Sequence, residues 1–178
     1  DTFTSHNNLK VDSYISKILN EIVDNILSLN TENIILDIIL TGGFGRSEGG
    51  MYYSKTHQKL QILNDIDLLI ILNGNFFINY FLYKKRIEKE VNKISLKYNI
   101  KQIDLSFRSI KMLKKSKFTI ANYEIKNGYK NLYKNISLLD LMPPFDNKLI
   151  SIDEGKNYLF NRGSGLLIPL LYLKYFDS

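Results

Sequence analysis

Two aspartates two residues apart stand at the head of an unbroken apolar run, Asn64-Asp65-Ile66-Asp67-Leu68-Leu69-Ile70-Ile71-Leu72. A run this short and this rich in Ile and Leu reads as a buried β-strand. Side chains alternate between the two faces of a strand, so Asp65 and Asp67 point the same way while Ile66 points to the opposite face. Two carboxylates converge on one spot. Any fold of this chain has to bury the strand and still accommodate that paired charge.

A third carboxylate lies within reach of the same pattern. Gln102-Ile103-Asp104-Leu105-Ser106-Phe107 alternates cleanly, with Asp104 on the polar face beside Gln102 and Ser106. If this strand neighbours the first, three like charges meet on one sheet, which destabilises it unless a cation compensates. Hard oxygen ligands with open positions suit magnesium, which keeps waters and binds substrate phosphates through few protein ligands.

Upstream, residues 33–40 form a β-branched and leucine run, interrupted by Asp37 and ended by Gly42-Gly43 in Thr41-Gly42-Gly43-Phe44-Gly45-Arg46-Ser47-Glu48. The reading is a buried strand entering a tight turn. Two glycines let backbone approach a phosphate closely, and Arg46 adds a forked donor suited to phosphate oxygens. A P-loop would need Lys-Ser or Lys-Thr after the glycines, and a dinucleotide loop wants a small residue where Glu48 stands.

The remaining periodicities set the organisation. Residues 9–29 carry apolar side chains at three- and four-residue steps and are expected to form an amphipathic helix, as are residues 76–97. The helical spacing of Phe77, Tyr80, Phe81 and Tyr83 favours core packing over base stacking. Residues 49–63, which lack helical periodicity, form a loop or small hairpin inserted between the glycines and the aspartates. Asn127-Gly128 between two short aromatic runs predicts a second hairpin over residues 123–133. A helix begins at Ser151, weakened by Gly163 and Gly165. The expected class is α/β (α+β), a mixed β-sheet flanked by helices with a C-terminal helical segment. Residues 1–112 would form the core, and 113–178 a hairpin and helical extension packed on or continuing it.

Composition narrows the chemistry. With 178 residues the chain can bury a real core, and with no cysteine it has no disulfide, thiol nucleophile or Cys-type metal site. The most apolar late stretch, residues 165–176, is broken by Pro169 and Lys174 and is too short to cross a bilayer. No secretory signal is visible, and a cytoplasmic setting without membrane partners is expected. That the first residue is Asp1 points to trimming. The net charge of +6 is concentrated between Arg108 and Lys134, where eight basic residues face one acid, Glu124. Such a local field can steer a phosphate-bearing partner, although a solvated lysine-rich surface is the simpler reading. His6 and His57 are expected to be exposed rather than catalytic.

With these residues in view, the chain resembles the DNA polymerase β-like nucleotidyltransferase superfamily, whose signature is an apolar strand, Gly-Gly or Gly-Ser, Asp-x-Asp on a second strand and a carboxylate on a third. The match covers about residues 34–107. Asn122-Tyr123-Glu124-Ile125 with Leu132-Tyr133, and residues 157–162 with 165–167, look like a prokaryotic branch of such proteins. The resemblance implies the nucleotidyltransferase fold, two Mg2+ ions, and transfer of a nucleoside monophosphate from a nucleoside triphosphate such as ATP to a hydroxyl, releasing pyrophosphate. It casts Asp65, Asp67 and Asp104 as metal-holding catalytic residues and Gly42, Gly43, Arg46 and Ser47 as nucleotide-binding. Gly43 stands where many members have Ser, and the gap to Asp65 is longer than usual. The acceptor is left open between a small molecule, a protein and an RNA end. A regulatory or toxin–antitoxin partner module with a protein partner, or an inactive relative, is the competing reading. Arg162 is a further candidate for phosphate contact.

Overall fold

The computed structural model describes residues 2–4, 8–54, 59–134, 137–145 and 150–160. His6, His57, Arg162, Gly163, Gly165 and the remainder of the expected C-terminal helix lie outside the described residues. The elements run α1 (Leu9–Leu27), β1 (Ile35–Thr41), α2 (Gly42–Gly45), β2 (Met51–Ser54), β3 (Lys59–Ile62), β4 (Ile66–Leu72), α3 (Phe76–Tyr98), β5 (Ile103–Ser109), α4 (Ile110–Lys114), α5 (Ile120–Asn127) and β6 (Lys130–Asn131), followed by a 3-10 turn at Leu138–Leu141.

Four strands form one mixed sheet in the order β5-β4-β1-β6, with β4 and β5 parallel and β1 antiparallel to both β4 and β6. The parallel pair needs a long crossover, which α3 supplies. Helix α1 starts where the Asn8 side chain accepts from the Lys10 and Val11 amides, and α3 starts at Asn75 and stops at Asn99, which adopts φ +54°. Both helices pack on one face of the sheet. There Ile18, Ile22 and Ile26 of α1 and Ile87, Val91 and Ile94 of α3 meet Ile38, Leu40, Ile66, Leu68 and Ile70. Glu21 of α1 accepts from Lys97 Nζ at 2.6 Å and from the Tyr98 hydroxyl at 2.7 Å, fastening the two helices at one end.

Ile39, Leu69 and Ile71 alternate with those core residues and so face the other way, yet they are fully buried. Leu113 of α4, and Leu139 and Met142 at the 3-10 turn, are the buried apolar residues of this second layer, in which α4 lies against the 3-10 turn. A strand apolar on both faces therefore sits between two covered faces.

Three expectations are corrected. Residues 123–133 do not form a hairpin: residues 120–127 are helical, the Gly128 amide donates back to the Glu124 carbonyl, and Lys130 and Asn131 pair with β1, followed by the Leu132 amide donating to the Ile38 carbonyl. Asn127-Gly128 thus ends a helix, a role the same dipeptide serves as well as a hairpin turn. Phe77 and Phe81 are not core residues but 71% and 74% exposed on the outer side of α3, because Tyr83, Ile87 and Val91 set its buried stripe. Nor is the basic segment a solvated surface throughout: Lys111, Lys114 and Lys115 are exposed, but two other lysines are bonded to protein. Lys126 Nζ donates to the Met142 and Pro143 carbonyls, and Lys130 Nζ to the Gly45 carbonyl and Ser47 hydroxyl.

The insertion is a two-stranded hairpin of β2 and β3. The chain divides into two compact units, residues 1–116 with 124–143, and residues 117–123 with 144–178. In the second, the Phe118 and Phe145 rings meet edge to face, Glu154 accepts from the Ile120 amide at 2.8 Å, and residues 152–160 are helical behind a Ser151 cap. Among the described residues, no helix is long and apolar enough to cross a membrane.

Candidate active site

Register brings the aspartates together. Asp67 is paired with Asp104 across the parallel β4–β5 ladder and with Thr41 across the antiparallel β1–β4 ladder, so all three share one row. The apolar side chains of β5 that pack on the helical core are Ile103, Leu105 and Phe107, which leaves Asp104 on the opposite face, the face of Asp67. Asp65 precedes β4 by one residue. Burial, and after it the negative charge of Asp104, push the Asp65 carboxyl above its ordinary range, while Lys101 pulls it back. That mutual repulsion puts Asp65 and Asp104 within electrostatic reach of each other.

The glycine turn abuts this row. Gly42 adopts φ +63°, and a Cβ built on it would lie 1.8 Å from Asp67 Oδ2. Only a residue without a side chain lets the Asp67 carboxylate rest against the backbone there. At Gly43 the nearest atom to an added Cβ is the Glu48 carbonyl at 4.0 Å, so that position has room.

Arg46 and Ser47 are engaged by protein. Arg46 Nε donates to Glu48 Oε2 at 2.8 Å and a terminal nitrogen lies 3.6 Å from Glu124 Oε2. Ser47, at φ +64°, donates to the Thr2 carbonyl at 2.8 Å and accepts from Lys130 at the same distance.

Three residues that sequence reasoning gave no role belong to this region. Gln102 Nε2 donates to both Asp104 oxygens, at 2.8 and 3.0 Å. Its place two residues before Asp104 on an alternating strand was the available signal. Asn64 Oδ1 accepts from the Gly50 amide at 2.5 Å, tying the β2–β3 hairpin to the residue before Asp65. Lys130 braces the glycine turn from more than eighty residues away, and no local pattern announces it.

No protein-family model matches the chain, and no curated protein matches it.

The fit to magnesium rests on the donor set. Three carboxylates on one end of the sheet offer hard oxygens, and the Asp65 carboxyl, raised first by burial and then by the charge of Asp104, has a like-charged neighbour whose repulsion a dication would offset. Among the described residues, no three Asp, Glu, His or Cys side chains converge into a metal-binding group. Two carboxylates at a time, completed by water and phosphate oxygens, are compatible with magnesium's habit of using few protein ligands.

Proposed function

We propose that the chain is a magnesium-dependent nucleotidyltransferase of the DNA polymerase β-like superfamily, moving a nucleoside monophosphate from a nucleoside triphosphate to a hydroxyl acceptor and releasing pyrophosphate. The observation that carries the reading is the contact of Asp67, itself paired with Asp104, against the positive-φ Gly42. A glycine bend and a row of carboxylates are the two halves that phosphoryl transfer needs, one to admit phosphate and one to hold cations.

Asp65, Asp67 and Asp104 would hold the magnesium, which when bound supplies neutralisation of phosphate charge and polarisation of the acceptor hydroxyl. The acceptor oxygen attacks the α-phosphorus in line, the bond to the bridging oxygen of the β-phosphate breaks, and pyrophosphate leaves with that electron pair. Asp104 takes the acceptor proton and passes it to water. Gln102 keeps the Asp104 carboxylate oriented through both oxygens. Gly42 and Gly43 admit the triphosphate alongside Asp67. Arg46 reaches phosphate by exchanging its Glu48 and Glu124 partners, and Ser47 holds the turn to the Thr2 carbonyl.

Transfer of label from α-32P-labelled nucleoside triphosphates, with magnesium and a mixed panel of protein, RNA and small-molecule acceptors, tests the reading. Label transfer abolished by Asp65→Ala with Asp67→Ala is expected; absence of both transfer and magnesium-dependent triphosphate binding rejects it. The second reading, an inactive relative kept as a regulatory or partner-binding module, is favoured by the lack of a preassembled three-ligand group among the described residues. It predicts normal partner binding in the Asp65→Asn variant.

A further inference from the structure

The far end of the parallel pair carries a different chemistry. Where β4 and β5 finish, a trough of about 590 Å3 is lined by Phe76, Phe77, Ser109, Lys111, Met112 and Lys115. Lys114 joins its wider rim. Five residues of extended strand, roughly 17 Å, separate Asp67 from Leu72 at this end. The trough is therefore not the aspartate site.

Its lining combines cationic and aromatic side chains. Lys111, Lys114 and Lys115 are exposed, and none of them forms an ion pair with a described residue. The acids of the adjoining helix are already used, Glu88 by Lys84 and Glu90 by Lys93. Beside the lysines, Phe77 presents a ring that is 71% exposed, and Phe81, one helical turn further along α3 and outside the trough's lining, presents another that is 74% exposed. Their inner edges are fixed by Phe76 and Tyr80, which stack on each other at 5.6 Å and meet Phe77 and Phe81 edge-on. Rings braced in this way lose little freedom when a flat ligand covers them.

We propose that this trough binds single-stranded nucleic acid, the lysines taking backbone phosphates, Phe77 taking a base within the trough and Phe81 a second base beyond its edge on α3. Ammonium groups one turn apart on α4 match a repeating anion, and base–aromatic stacking is tolerant of sequence. The turn-to-turn spacing of the two rings, about 5.4 Å, exceeds the 3.4 Å step of stacked duplex bases. Unstacked bases are needed to reach both rings, so duplex is disfavoured. The inference does not depend on the transfer chemistry: no aspartate, metal or triphosphate enters it.

The test is fluorescence anisotropy of fluorescein-labelled twelve-residue oligothymidylate and oligouridylate with the full chain, in EDTA and without triphosphate. Binding should weaken by about two decades per tenfold rise in salt, the slope for three neutralised phosphates on a single strand. Phe77→Ala should weaken binding about tenfold, within the range for loss of one stacked base. Lys111→Gln with Lys115→Gln should remove about two-thirds of the salt slope. Lys10→Gln with Lys17→Gln, the same charge change on α1, should leave most of the affinity. All four side chains altered by the lysine variants are exposed, and circular dichroism verifies their folding. No oligonucleotide binding at 20 mM salt, equal loss in both lysine pairs, or equal affinity for duplex overturns the proposal. So does binding of phosphatidylglycerol vesicles or polyglutamate with no binding of oligonucleotide.

Discussion

The Asp67 carboxylate occupies the space of the side chain that Gly42 lacks: a Cβ at residue 42 would lie 1.8 Å from Asp67 Oδ2. Gly42→Ala combines this collision with φ +63°, a conformation costing a non-glycine residue roughly 1–2 kcal/mol. Urea unfolding should show a loss of about 2 kcal/mol or more, with Asp67 displaced and any magnesium response gone. Gly43→Ser, with its nearest neighbour 4.0 Å away, should stay within about 0.5 kcal/mol of the parent. A reversal of that order would show that the turn does not hold the carboxylate.

Asp65 carries a pH signature. Its carboxyl is raised first by burial and then by the charge of Asp104. A raised carboxyl binds its proton more tightly in the folded than in the unfolded chain. Its contribution to stability is complete below the unfolded value and is lost as pH rises through the folded one. Asp104→Asn removes the second cause and leaves the first, so Asp65 should titrate lower than in the parent but still above an ordinary aspartate. Carboxyl-carbon NMR titration reads this directly. Magnesium, competing with that proton, should raise the melting temperature above the Asp65 titration and lose effect below it. An unchanged Asp65 titration in Asp104→Asn would separate the two carboxylates.

The parts of this fold that follow from periodicity were legible in the sequence. Residues 66–72 are the strand that their apolar run implies, and the alternation of residues 102–107 placed Asp104 correctly opposite Ile103 and Leu105. What was not legible depends on partners distant along the chain. Glu124 reaches Arg46, and Lys130 reaches Ser47, only because β6 pairs with β1. The exposure of Phe77 and Phe81 was misread for a related reason: helical spacing says which residues share a face, but the packing of α3 against β5 and α1 decides which face is covered. Asn127-Gly128 supports both a hairpin and a helix end, and the Gly128 amide bonding to Glu124 decides between them.

Arg46 offers a way to separate a structural from a phosphate-binding role. Its two acidic partners and the packing of Gly128 over its stem predict that Arg46→Ala costs about 1 kcal/mol, part from the ion pairs and part from the lost methylene contacts. Glu48→Gln weakens one partner without moving the stem. If Arg46 serves phosphate, that variant should bind triphosphate more tightly, read as a lower KM in the transfer assay or a lower Kd by calorimetry. Unchanged affinity would assign Arg46 to the turn alone.

Asp37 predicts a second pH dependence, far from the glycine turn. It is fully buried in β1, with Oδ1 accepting from the Ile38 amide at 2.9 Å. Burial raises its carboxyl, outweighing the Ile38, Leu138 and Lys134 amides and the Lys134 charge, which favour ionisation. The folded chain therefore holds this proton more tightly than the unfolded chain does, and the group's contribution to stability fades as pH climbs through the raised value. Asp37→Asn keeps an oxygen for the Ile38 amide and cannot ionise. Its unfolding free energy should exceed that of the parent at pH 7 by on the order of 1 kcal/mol, with the gap closing toward pH 4. Urea midpoints between pH 4 and pH 8 check this. Parallel profiles across that range would mean that the carboxylate is stabilised in place by the amides and Lys134, and that residue 37 does not set the acid-to-neutral slope.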